Sequence, residues 1–303
     1  MRKFSLKLIL FLFTIIALVM LYPVDQKKVF YGLKDDCFNH AKWMYDRLYE
    51  NPEHIDIAFL GSSQTINGIN DLLIDSLLKN HRVANFGYCR YGRNLTYLMA
   101  KRVLELKKVK TLVVEVRAGE SAFSHPVFPH LANNTELLTN YPFFNENWFS
   151  DFATAFQYRV QLVQEEVLNE HKTTLPSENL YGFAGHYDTL SFTELTSTSK
   201  RHYIKPKWKD NLDHIFPLHY DKKLAELCKQ HNVKLFFLYL PAYKNIYNRP
   251  IKMEQIEHMA PILYPPPNVL NNTNYWHDKV HLNSTGAQAL STWLAEELKS
   301  QIP

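Results

Sequence analysis

Four short runs of this chain are apolar with almost no alternation, and each ends at a turn: residues 55–60, RVANFG ending at Gly87, KTLVVEV at 110–116 and VKLFFLYLP at 233–241. A strand with one face in water alternates polar and apolar residues, whereas a strand buried on both faces does not. Between these runs lie segments with apolar residues at helical spacing: 70–79, 94–107 and YDKKLAELCKQHN at 220–232. Strands alternating with helices predict an α/β fold, a central parallel sheet with helices on both faces. One more amphipathic helix is expected over 36–50 and a last one through 287–298, capped by Asn283 or Ser284. PILYPPPN, 261–268, reads as an extended connector.

Between about 121 and 215 the pattern weakens, and the stretch is too long for a plain connection. We read it as an insertion or lid beside the site, with helical stretches near 148–170. Its histidines (His186, His202, His214, His219) read as polar surface, and YPFFNENWF as core or lid packing. Net charge is only +4, and part of it sits on Arg2, Lys3, Lys7, Lys27 and Lys28. No basic stripe is left to suggest nucleic acid. Nine glycines argue against a glycine-rich phosphate loop. The three cysteines, Cys37, Cys89 and Cys228, include no Cys-x-x-Cys pair and allow at most one disulfide. No metal or other cofactor is expected; His277, Asp278 and His281 lack a further spaced ligand set.

The N-terminus is basic at Arg2, Lys3 and Lys7 and then apolar from Phe4 through Tyr22, apart from Ser5, Lys7 and Thr14. About 19 residues of helix just span a ~30 Å hydrocarbon layer. The cations predict that the N-terminus stays in the cytoplasm. The exit, Tyr22-Pro23-Val24-Asp25, lacks a small-x-small cleavage pattern, so an uncleaved signal anchor is expected over 1–24, with an extracytoplasmic domain over 25–303.

Two motifs carry chemistry. In FLGSSQT, the first apolar run breaks at Gly61-Ser62-Ser63. In HDKVHLNSTGAQAL, Asp278 and His281 stand three apart before the last helix. In open parallel sheets, ligands sit beyond the carboxyl ends of the strands, where both motifs fall. FLGSSQT resembles the first block of the SGNH (GDSL-type) hydrolases, and HDKVHLNSTGAQAL resembles their last, Asp-x-x-His block. The resemblance spans roughly 53–300, excluding the insertion. It implies a flavodoxin-like three-layer sandwich. It also implies Ser63 as nucleophile, His281 as general base, Asp278 as the group orienting the imidazole, and the N–H groups of Ser63 and Gly87 as oxyanion donors. The chemistry fits: a serine hydroxyl reacts once an imidazole takes its proton, and a carboxylate on the other ring nitrogen fixes the tautomer.

Three departures stand out. Ser62 replaces the aspartate of Gly-Asp-Ser. Gly87 and Gly92 are not at the usual second-block spacing. The third block, EVRAGES, has no asparagine, and Arg117 is the candidate there for a substrate-binding substitute. With the anchor, the chain looks similar to membrane-anchored SGNH-like proteins of bacterial envelopes, such as the alginate O-acetylation proteins and the D-alanyl lipoteichoic-acid transfer protein. That implies the bacterial cytoplasmic membrane, a multi-span membrane O-acyltransferase as partner, and a glycan as acceptor. The alternative from another class is a non-catalytic glycan-binding or scaffolding subunit.

Overall fold

The computed structural model describes residues 2–23, 25–33, 40–117, 120, 122–168, 179–186, 207–243 and 253–302. Five strands, β1 (Ile57–Leu60), β2 (Val83–Asn85), β3 (Thr111–Val116), β4 (Lys234–Tyr239) and β5 (Ile262–Leu263), form one sheet in the order β2-β1-β3-β4-β5. Every pairing is parallel. This is the flavodoxin-like order, whose switch point lies where β1 is flanked by β2 and β3.

Period-2 alternation sends successive side chains to opposite faces. Ala58, Leu60, Leu112, Val114 and Phe237 enter one core, and Ile57, Phe59, Val113, Phe236 and Leu238 enter another. Two covered faces explain the unbroken apolar runs. The fifth strand is a correction: the 261–268 connector contains β5, which pairs with Phe237 and Leu238. Proline cannot donate to a sheet ladder, so a strand flanked by Pro261 and Pro265 suits the edge.

Helix α1 (Arg2–Leu21) is the apolar N-terminal segment, and its stretch from Lys3 to Leu21 is long and apolar enough to cross a membrane. Next come α2 (Ser63–Gly68), α3 (Asp71–Leu78) and α4 (Arg93–Leu106). In the insertion, α5 (Trp148–Val167) is the long element; α6 (Ile215–Gln230) and α7 (Ser284–Gln301) complete the layers. Leu98 of α4 and Leu224 of α6 join the first core, while Ile74 of α3 and Leu290 and Leu294 of α7 join the second. The 36–50 helix appears as His40–Tyr45 continued by a π turn, Asp46–Glu50; residues 36–39 of that expectation lie outside the described residues.

Candidate active site

The Ser63 turn follows directly from β1. The strand ends at Leu60, and Gly61 leads into α2, whose first residue is Ser63. A Cβ on Gly61 would stand 2.1 Å from Thr65 Oγ1 and 2.6 Å from Glu115 Cβ, so no larger residue fits. Ser62 is the N-cap and accepts from Gln64 N. Its carbonyl accepts from the N–H groups of Thr65 and Ile66 at 3.0 and 3.1 Å. A trans peptide points its N–H opposite its C=O. The Ser63 N–H therefore points away from the helix, and among the described residues it donates to no protein acceptor.

Glu115 lies beneath this turn, on β3 and almost wholly buried. Its carboxylate accepts from Ser62 N at 2.7 Å, Ser62 Oγ at 2.8 Å and Thr65 Oγ1 at 2.7 Å. This accounts for Ser62: an aspartate there would set two carboxylates against each other, whereas a hydroxyl donates. Glu115 is the one charge inside TLVVEV, a signal that the sequence does offer.

The other two groups come from the loop before α7. Asp278 Oδ1 accepts from the N–H groups of Val280 and His281, both at 2.7 Å, which closes a tight turn. Its Oδ2 lies 2.7 Å from His281 Nδ1, and His281 Nε2 lies 2.7 Å from Ser63 Oγ. Burial opposes the Asp278 charge. The His281 hydrogen bond and the two backbone donors outweigh it and hold the carboxyl well below the usual carboxylate range. An ionised carboxylate can only accept, which places the ring proton on Nδ1 and leaves the Nε2 lone pair facing Ser63. Gln64, next to Ser63, donates from Nε2 to Val280 O at 3.0 Å and ties this loop to α2.

The oxyanion side differs from expectation. The Gly87 N–H donates to Asn85 Oδ1 at 2.9 Å, within its own loop. Arg117 packs its guanidinium over the Tyr91 ring, 3.1 Å from the centroid, and lies 3.7 Å from Glu115 Oε1 and 3.9 Å from Glu120 Oε1. Arg93 donates to the Glu115 carbonyl and pairs with Glu120 and with Asp221. The third block is thus a buried charge cluster. The same region carries Cys89, which is disulfide-bonded, while Cys228 is free and buried.

Part of the insertion reaches the site. Residues 179–186 form a strap: Asp71 accepts from Gly182 N and Phe183 N, Ala184 N donates to Ile66 O, and Ser284 N donates to His186 O. His186 stacks on His277 with ring centroids 4.0 Å apart and lies 6.3 Å from the His281 ring. The reading of the insertion's histidines as polar surface therefore needs correction. His186 borders the candidate site, His214 is buried and His219 stacks on Tyr141; His202 lies outside the described residues. In YPFFNENWF, Phe143 and Phe149 are exposed rather than packed.

No family model matches the chain, and no curated protein matches it. Among solved structures, the chain is similar to a crystal structure from Bacteroides fragilis described as a "putative acylhydrolase". The likeness covers 86% of this chain and 96% of that one, at 11% identity and a TM-score of 0.41.

Proposed function

We propose that this chain is a membrane-anchored serine esterase or O-acyltransferase of the SGNH type, acting on acyl esters (acetyl in the first instance) of a cell-envelope polysaccharide. One observation carries the reading: the unbroken relay Asp278 Oδ2–His281 Nδ1 and His281 Nε2–Ser63 Oγ, 2.7 Å at each link.

In this mechanism His281 Nε2 takes the Ser63 proton as Oγ attacks the acyl carbonyl, and Asp278 stabilises the imidazolium. The tetrahedral oxyanion receives the Ser63 N–H. Collapse returns the proton from His281 to the leaving alkoxide and leaves an acyl ester on Ser63. A second nucleophile, activated by His281, then releases the acyl group. Water makes the enzyme a hydrolase, and a sugar hydroxyl makes it a transferase that a multi-span acyltransferase would serve.

Helix α1 fits an uncleaved anchor. The Met20 carbonyl near its end accepts from Asn134 Nδ2 and Arg159 Nη1 of the insertion, so the domain itself caps the helix. The Cys89 disulfide suits an oxidising compartment outside the cytoplasm. Arg117 would meet the substrate from the Tyr91 side. The second reading, a non-catalytic glycan-binding or scaffolding subunit, draws on the Gly87 N–H being spent on Asn85.

The deciding test treats the detergent-solubilised full chain and its Ser63→Ala variant with a fluorophosphonate probe and with 4-nitrophenyl acetate at pH 7–8. Labelling and turnover that disappear in the variant would establish an activated nucleophile. Identical behaviour of the two forms would favour the non-catalytic subunit.

A further inference from the structure

Among the described residues, the buried arginines have acidic or crowded polar surroundings, with one exception. Arg93 has Asp221 and Glu120, and Arg102 has Glu136 at 3.7 Å. Arg47 donates to Asn51 Oδ1 and to the carbonyls of Glu53 and His54. Arg159, on α5, is 8% exposed, and among the described residues its one hydrogen bond goes to the Met20 carbonyl at 2.6 Å. No carboxylate lies within ion-pair reach of it among those residues, and burial alone acts on it, lowering its proton affinity. A buried charge without a counter-charge is costly.

Arg159 lines a cavity of about 250 Å³. That is room for a phosphate and part of its ester, given that a liquid water occupies about 30 Å³. The walls include Leu21 and Tyr22 from the exit of α1, and His130, Asn134 and Leu162 from the insertion. One of these, His130, holds a buried ring nitrogen, Nδ1, that has no hydrogen-bond partner among the described residues. The position narrows the ligand. Helix α1 has 20 residues, and at about 1.5 Å each it spans one hydrocarbon layer, which puts Leu21 and Tyr22 at headgroup level. A lone guanidinium beside an apolar wall at that depth matches a phosphate diester with its acyl chains running back along α1.

We propose that this cavity binds the phosphate of one phospholipid headgroup, with Arg159 as its counter-charge. The proposal rests on the anchor reading of α1. Alkaline carbonate extraction of membranes tests that reading by itself: a chain released by carbonate breaks the anchor, whatever the lipid result.

The site is tested by native mass spectrometry of the full chain released from nanodiscs containing phosphatidylglycerol. Wild type, Arg159→Lys and Arg159→Gln are compared, with thermal melts by circular dichroism confirming that each is folded. One phospholipid should stay bound to wild type and to the Lys variant, and retention should fall by ~10-fold or more in the Gln variant, the loss expected for a charge-assisted hydrogen bond. Millimolar inorganic phosphate should leave the bound lipid in place. Equal retention by the Gln variant, or none by wild type, overturns the site. Displacement by inorganic phosphate overturns the lipid source and assigns the cavity to a free anion.

Discussion

The two sides of Ser63 are built on different principles. On the side of His281 and Asp278, neighbours in sequence make the geometry. The Asp278 carboxylate turns the chain through the N–H groups of Val280 and His281 and holds the imidazole of the same loop. On the side of Gly87, Glu115 and Arg117, groups from β1, β2 and β3 meet only through the sheet. There, the N–H of Gly87 is satisfied by Asn85, and a carboxylate stands under the Ser63 turn. The first side is partly exposed; the second packs Glu115, Arg117 and Glu120 into a largely buried charge cluster. In the proposed mechanism, proton transfer would fall to a local, self-contained turn, and alignment of Ser63 to a long-range buried contact.

The sharpest way to break this contrast is Asp278→Asn. The amide would present the wrong hydrogen-bond pattern to Nδ1 and favour the wrong imidazole tautomer. The expected loss in kcat is on the order of 10⁴-fold, with KM little changed. Steady-state kinetics on an acyl ester would check it; a loss under tenfold would mean that the turn serves structure alone.

Glu115→Gln probes the other side and should act less strongly. Gln keeps the shape but offers one acceptor where Ser62 N, Ser62 Oγ and Thr65 Oγ1 now use a carboxylate. Losing one charge-assisted bond, worth about 1.5–3 kcal/mol, predicts a ~10–100-fold fall in kcat and a lower melting temperature. Glu115 acts through the backbone of Ser62, so the pH–rate profile should keep its shape. A moved profile would show that Glu115 takes part in proton transfer, and the two sides would no longer be separable.

This division also explains what the sequence made legible. Ser63, Asp278 and His281 sit in compact motifs whose geometry is mostly local, and the apolar runs of β1, β3 and β4 declare a sheet covered on both faces. The role of Glu115 was hidden because nothing near it in the chain names Ser62 as its partner, although a charge within TLVVEV marks an exception. The two-residue β5 was hidden by its prolines, which look like a connector and are compatible with a strand only at an edge. The strap at 179–186 carries no periodic pattern; its place is set by Asp71, over a hundred residues earlier.

Asp71 gives the smallest effect and tests whether the strap belongs with the His281 side. It is fully buried, and burial pushes its carboxyl up to about 6, against the pull of the Gly182, Asn85 and Phe183 N–H groups. A raised folded pKa means that the folded state holds this proton more tightly than the unfolded chain. Its contribution is therefore fully present below the unfolded-chain value of 3.8 and is lost as pH rises through about 6. Between pH 5 and 7 the wild type should lose about 1 kcal/mol through this group, and Asp71→Asn should not. Denaturant melts of the two proteins at both pH values measure the difference between slopes, which cancels the fixed cost of replacing one acceptor oxygen by an amide. Gly182 N and Phe183 N donate to Asp71, and the ionised carboxylate is the better acceptor, so the protection of these two amides, corrected for the intrinsic pH dependence of exchange, should rise over the same pH range in wild type alone. Parallel slopes, or amide protection that does not change with pH, would detach the strap from Asp71 and leave His186 held by Ser284 and His277.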